Sequence, residues 1–365
     1  MGKIVKIRFN SGDFEHGFKV TLDIGKDIYP YSYPTETQIE LPCSPEIPQF
    51  YDNWVSKYNK WENCLRGTHA PPQAINTAEL KTDCQEARDT LEKCVKKWFE
   101  DAISSFVIMW TKLNPKDEVR ILIQTNDLYL RKLPWQEWGL FADIYTDSEF
   151  ALCPAGHDEP KTASVSRNPQ VKILAILGNA QNIDVNKDRK RLEESPNADL
   201  LFLDEPLPKD VLDNLWTQNW DILFFAGHST SQNETGRIYI NPTDFLTVKD
   251  LKSGLRHAIE NGLQLAFFNS CDGLKLAEDL AGLNIPQVIV MREPVPDRAA
   301  HAFLEYFLHA FSGGRSLYLS VRLARERLHG NYDAQYPGCG WLPIICQNPA
   351  TEPLSWRKLT DSEAK

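Results

Sequence analysis

The sequence predicts an α/β fold of three layers, a mostly parallel central sheet with helices on both faces, to which an N-terminal hairpin and helical region are added. Three observations predict it. From Val171 onward short apolar runs alternate with helical segments, the pattern of parallel strands joined by crossover helices. Several of those runs, such as Ile222 to Phe225 and Gln287 to Met291, are continuously apolar, as strands buried on both faces require. The first hundred residues instead show alternation at period two and then long amphipathic helices, so they form a separate kind of structure.

In chain order, Ile4 to Phe9 and Phe18 to Ile24 alternate around Ser11-Gly12-Asp13 and predict an antiparallel hairpin with a longer loop. Ile39 to Leu41 adds a short strand. Ser44-Pro45-Glu46 supplies an N-cap, a proline at the first helical position and a first-turn acid. Ile47, Phe50, Tyr51, Trp54, Tyr58, Trp61 and Leu65 then recur at helical spacing as far as Gly67. Beyond Pro71-Pro72 a longer helix runs from Thr77 to Trp110, with Leu80, Cys84, Leu91, Val95 and Trp98 on one face, a packing stripe. Asn114-Pro115 closes this region.

Val119 to Thr125 reads as a strand, Leu133 to Trp138 opens a short helix, and Asp158 to Asn168, polar and without period, reads as a surface loop. The alternating part follows: strand Val171 to Leu177, helix Lys187 to Glu194, strand Leu200 to Leu203, helix Pro208 to Trp216 and strand Ile222 to Phe225. A hairpin at Arg237 to Ile240 and helix Val248 to Glu260 come next. The run from Leu263 stops at Cys271, followed by helix Leu274 to Ala281, strand Gln287 to Met291, helices Asp297 to Ser312 and Ser316 to Leu328, and strand Leu342 to Cys346.

A net charge of −10, from 40 basic and 50 acidic residues, argues against a sequence-independent nucleic-acid surface, which needs clustered cations. The Lys187 to Arg191 run is balanced by Glu193 and Glu194 and reads as a solvated helix face. Gly178-Asn179-Ala180 lacks the glycine spacing and lysine of a phosphate loop. No apolar stretch is long enough to span a membrane, and the N-terminus alternates charged with apolar residues unlike a signal peptide, so a cytoplasmic location is expected. Met1-Gly2 is followed by Lys6 where a myristoylation motif has Ser or Thr. Eight cysteines without Cys-x-x-Cys spacing predict free thiols in a reducing compartment. Cys153 and His157 lack a second ligand pair, so neither a metal nor a cofactor is expected.

Two of the apolar runs end alike. Asp221 to Phe225 leads through Ala226-Gly227 to His228, and the later run leads through Asn269-Ser270 to Cys271. A lone cysteine is usually a buried small hydrophobe and a lone histidine a structural residue. Matched placement at two strand ends, beside small residues, points instead to nucleophilic catalysis at the sheet edge where ligands bind.

These residues carry a family resemblance. Phe224-Phe225-Ala226-Gly227-His228-Ser229, Phe268-Asn269-Ser270-Cys271-Asp272-Gly273 and Val288 to Asp297 resemble the CHAT peptidases, which stand with caspases and separase among caspase-like cysteine peptidases. Leu133-Pro134-Trp135 with Trp138, Ala299 to Phe311, and Trp341-Leu342-Pro343 fit the same pattern. The resemblance implies a caspase-like domain over residues 115–356, preceded by an accessory region over 1–114 and followed by a polar tail over 357–365.

It also implies a cysteine endopeptidase that cleaves partner proteins in a bacterial signalling, defence or death pathway, with Cys271 as nucleophile and His228 as its partner. The backbone N–H groups of Ser229 and Cys271 would hold the oxyanion. Asp272 either orients His228 or caps the next helix, the cap being favoured. Glu293 and Asp297 border the expected P1 pocket as acidic candidates for a basic side chain, although Asp297 also falls at a predicted N-cap, and capping is its favoured role. The expected partners are a protein or peptide substrate and a regulatory partner or oligomer. A non-catalytic docking module that binds a peptide by strand addition, or another thiol enzyme such as an acyl transferase, are the alternatives.

Overall fold

The computed structural model describes residues 2–66, 77–154, 169–181, 183–232, 235–270, 273–281, 283 and 285–360. The chain divides into two compact units, residues 1–155 with 328–341 and residues 156–327 with 342–365. The expected loop Asp158 to Asn168 and the residues Cys271 and Asp272 lie outside the described residues.

In the first unit, β1 (Lys3–Asp13) and β2 (Gly17–Lys26) make the predicted hairpin, but the turn lies beyond Ser11-Gly12-Asp13 and is short. A bulge between Phe9 and Ser11 shifts the register, and Gly12 takes φ +113° inside the strand. Asp13 Oδ1 then accepts the amides of Glu15 and His16 at 3.0 and 2.8 Å, an Asx-type closure that needs no long loop. β3 (Thr35–Leu41) lies antiparallel to β2, β4 (Val119–Gln124) lies parallel to β1, and β5 (Ser148–Cys153) lies parallel to β4. The order is β3-β2-β1-β4-β5. β5 has no strong sequence signal because Ser148 and Glu149 interrupt its apolar run. Both are nevertheless buried, and the Phe150 amide donates to Glu149 Oε1 at 2.8 Å.

α1 (Glu46–Arg66) follows the predicted span. The predicted continuous helix from Thr77 to Trp110 is instead α2 (Thr77–Asp101), a 3-10 turn at Ile103–Phe106, and α3 (Val107–Lys112). Serines compete for backbone partners, and here Ser105 Oγ donates to Glu40 O on β3 at 2.9 Å, an anchor outside the helix. α4 (Leu128–Lys132) precedes the Trp135–Glu137 turn. The aromatic stripe is core, with Trp98 in ring contact with Phe14, Phe18 and Trp135 and its Nε1–H donating to Pro42 O at 2.8 Å. Segment 328–341 is tied into the same unit. Trp61 Nε1–H donates to Gln335 O at 2.8 Å, Arg88 pairs with Asp333 at 2.9 Å, and Trp341 Nε1–H donates to Glu137 at 2.8 Å.

The second unit carries β6 (Val171–Leu177), α5 (Val185–Glu193), β7 (Ala198–Asp204), α6 (Pro208–Thr217) and β8 (Ile222–Ala226). The short strands β9 (Ser229–Gln232), β10 (Thr235–Tyr239) and β11 (Phe245–Thr247) form a separate small sheet before α7 (Val248–Glu260). Then come β12 (Leu265–Asn269), α8 (Gly273–Ala281), β13 (Gln287–Met291), α9 (Asp297–Ser312), α10 (Leu317–Tyr332), β14 (Pro343–Gln347) and α11 (Trp356–Leu359).

The main sheet of this unit runs β14-β13-β12-β8-β6-β7, with its strands parallel except for β14. Phe224 and Phe267 sit side by side on one face, where Phe267 meets Phe303 and Phe307 of α9, while Phe225 and Phe268 take the other. The architecture is the mixed α/β fold predicted, a largely parallel sheet flanked by helices. Among the described residues no helix is long and apolar enough to cross a membrane.

Candidate active site

β8 and β12 are neighbours in the sheet and run in the same direction, with Ala226 opposite Asn269 at their carboxyl ends. On the other side of β8, Leu177 at the end of β6 also lies opposite Ala226. The chain leaves β6 for β7 and returns to β8 on the far side, so strand order reverses here. In open parallel sheets the carboxyl edge at such a reversal is where ligands bind.

Past Ala226 the backbone is packed without room for side chains. A Cβ at Gly178 would lie 2.3 Å from Tyr239 O, and one at Gly227, where φ is +153°, would lie 3.1 Å from the Phe225 ring and 3.3 Å from Gly178 Cα. Backbone bonds knit the same three segments. Gly178 N–H donates to Ala226 O at 2.8 Å, Asn179 N–H to Tyr239 O at 2.9 Å, and Tyr239 N–H to His228 O at 2.9 Å. His228 therefore starts from a fixed backbone.

Its ring is fixed as well, since Nε2 lies 2.7 Å from Gln181 O. A carbonyl only accepts, so Nε2 carries the proton and Nδ1 of the neutral imidazole keeps its lone pair. Sequence reasoning missed Gln181 because the acceptor is its backbone, which no side-chain pattern reveals. Ser229 is buried and pairs with Ile238 in the β9–β10 register. The Tyr239 to His228 bond marks the adjacent position as the hydrogen-bonded one, which turns the Ser229 amide away from β10.

β12 ends in Asn269 and Ser270, both buried. The next described residue is Gly273, where a Cβ would meet Val290 Cβ at 2.6 Å and Met291 O at 2.9 Å, so α8 starts hard against β13. α8 also docks on the β9–β10 hairpin. Gly236 would put a Cβ 3.0 Å from Leu276 Cα, and its N–H donates to Asp279 Oδ2 at 3.2 Å. The segments that follow the two strand ends thus brace each other.

A buried polar cluster underlies this edge. The Lys187 to Arg191 run is not a uniformly solvated face, because Asp188 within it is 1% exposed. Asn269 Nδ2 donates to Asp188 Oδ1 at 3.1 Å, and His301 Nε2 stands 3.6 Å from Oδ2, beyond hydrogen-bonding range. Burial is the main cause that pushes the Asp188 carboxyl up to about 8, helped by the nearby charges of Asp297 and Asp184 and opposed by the Asn269 bond. Burial likewise lowers the His301 pKa, so both groups are drawn toward their neutral forms. Asn269 Oδ1 and Ser270 Oγ are buried with no hydrogen-bond partner among the described residues. The sequence did carry one signal for Asp188. It stands four residues before Leu192, on the helix face that Leu192 buries.

Asp297 does not cap α9. Pro296 holds the N-cap position, with no side-chain cap bond, and Asp297 is the first helical residue, free to act on Asp188 and His301. Glu293 lies half-buried in the turn after β13. Among the described residues no group of three or more His, Cys, Asp or Glu side chains is arranged to hold a metal ion.

A family model described as the CHAT domain matches residues 146–360. Comparison with curated proteins gives no match. Among solved structures, the Arg-specific cysteine proteinase gingipain R (RgpB) is similar with a TM-score of 0.48 and 11% identity, over 84% of this chain and 77% of that one. A complex of the pro- and mature domains of RgpB from Porphyromonas gingivalis gives 0.47 and 10%, over 84% and 78%.

Proposed function

The chain belongs to the CHAT domain family, and from that premise we propose that it is a caspase-like cysteine endopeptidase in which Cys271 and His228 form the catalytic dyad. One observation carries the proposal: β8 and β12 are adjacent and parallel with Ala226 opposite Asn269, and His228 and Cys271 each follow that pair by two residues.

In this mechanism the Nδ1 lone pair of His228 takes the Cys271 thiol proton, and the same ring later protonates the leaving amine. Gln181 O supports the ring throughout, accepting from Nε2 whether the imidazole is neutral or charged. The partial positive charge at the start of α8, which begins at Gly273, favours the thiolate. Attack on the scissile carbonyl forms a tetrahedral oxyanion held by the amides of Ser229 and Cys271. The orientation of the Ser229 amide, away from β10, supports that role. Each such donor contributes about 3–4 kcal/mol to transition-state binding.

Substrates are proteins or peptides, and Glu293 and Asp297 are the acidic candidates for a basic P1 side chain. Asp272 remains a secondary contributor to substrate binding. The setting is a bacterial signalling, defence or death pathway.

The test compares wild type, Cys271→Ala and His228→Ala on proteome-derived peptides, with labelling by an active-site thiol probe and identification of new N-termini. Cleavage by wild type alone, with Cys271 labelled, is the expected result. No cleavage and no labelling would leave the peptide-docking alternative, and turnover dependent on an acyl acceptor would favour acyl transfer.

A further inference from the structure

Among the described residues, one edge of the second unit's main sheet has no strand paired to it. β7 pairs with β6 along its whole length, Val171 opposite Ala198 through Leu177 opposite Asp204, and among the described residues no strand pairs with its other side. Its sequence Ala-Asp-Leu-Leu-Phe-Leu-Asp holds no proline, lysine or bulge, and its exposed charges, Asp199 and Asp204, stand near its two ends and leave Leu200 to Leu203 between them. Leu200, Leu201, Phe202 and Leu203 are all half-exposed, whereas β8, β12, β13 and β14 are buried throughout. The edge strand of the first unit is treated differently, since Ser105 Oγ caps the Glu40 carbonyl of β3.

The outward backbone groups of β7 follow from its inner bonds. Val171 N–H donates to Asn197 O and Glu205 N–H to Leu177 O, both at 2.8 Å, so in the parallel pattern the odd-numbered residues face β6 and Ala198, Leu200, Phe202 and Asp204 face outward. Asn197 and Glu205, with φ +54° and +41°, turn the chain at either end and limit the free edge to this span.

We propose that β7 pairs antiparallel with β7 of a second copy of this chain across a two-fold axis at Leu201. In that register Ala198 faces Asp204 and Leu200 faces Phe202. Every outward residue meets an outward residue, giving about eight backbone hydrogen bonds. Leu200 packs against Phe202 on one face and Leu201 against Leu201 on the other, with Asp199 opposite Leu203, so no like charges oppose. Slipping by two residues one way sets Asp199 against Glu205, and slipping the other way shortens the paired span and faces Phe202 with Ala198. The self-complementarity of this single register, shared by both copies as an isologous contact requires, selects a second copy over an unrelated strand. Arg189, stacked 4.0 Å over the Phe202 ring and paired with Asp204, leaves the backbone edge clear.

The experiment uses the full chain. A strand-edge contact lies at the small end of interface sizes, so sedimentation velocity is run up to roughly 100 μM, where a dimer is expected. With a net charge of −10 on each copy, added salt strengthens it. Leu200→Pro removes one outward N–H and no bond to β6, and is expected to give a folded monomer. Leu201→Cys is expected to form an intermolecular 201–201 disulfide under mild oxidation, identified by peptide mapping against the native cysteines. A wild-type monomer over the whole concentration range, or a dimer that persists in Leu200→Pro and yields no 201–201 link, overturns the proposal. Occupation of the edge by the chain's own residues or by another protein would appear as the first of these. Because the readout is mass and crosslinking, a failure here says nothing about peptidase activity.

Discussion

Replacing Asp188 by Asn keeps the shape and the acceptor for Asn269 while removing a carboxyl whose pKa burial pushes up to about 8. In the unfolded chain an aspartate titrates near 3.9 and is ionised at neutral pH. In the folded protein Asp188 titrates at about 8, so between these values the folded state binds the extra proton and stability falls as pH rises. Between pH 6.5 and 8 the linkage relation gives a loss of roughly 1–2 kcal/mol from this group in wild type, which Asp188→Asn lacks. His301, whose pKa is lowered by burial, and His329, raised by its bond to Asp333, are present in both proteins and drop out of the difference. The assay is urea unfolding of the two proteins at several pH values, read as the difference in free energy. The expected outcome is a gap that widens by roughly 1–2 kcal/mol in favour of the variant across the window. A difference independent of pH would refute the argument, because it would mean that Asp188 is ionised in the folded state.

Gly178→Ala drives a Cβ into Tyr239 O, so a loss of roughly 1–3 kcal/mol in thermal or urea stability is expected. Because Tyr239 holds the His228 backbone, kcat toward a peptide substrate should fall about a hundredfold as well. Arg120→Ala leaves buried Asp27 without the guanidinium that bonds it at 2.7 Å, and should lower unfolding free energy by about 3–5 kcal/mol, with partial recovery when Asp27→Asn is added. Trp98→Ala opens a cavity among Phe14, Phe18 and Trp135 and should cost about 3–5 kcal/mol by the same measurement. Unchanged melting in either of the last two variants would show that the first unit's core is not organised around these side chains.

Much of this molecule can be read from local chemistry. The strand Gln287 to Met291, the helix Val248 to Glu260 and the helix Asp297 to Ser312 stand where apolar runs predict them, because burial on both faces or on one stripe leaves a direct imprint on residue order. The two strand ends that carry His228 and Cys271 are legible for the same reason. What local chemistry leaves open is how distant segments meet. Only the folded chain pairs β1 with β4, makes Glu149 part of a buried strand, and breaks the helix after Asp101 where Ser105 finds Glu40. Only there does Asp188 leave the solvated run it occupies in sequence to meet Asn269, and the Gln181 carbonyl reach the His228 ring. Periodicity reports which side of an element is apolar, whereas a hydrogen bond between residues far apart in sequence depends on packing that no single segment encodes.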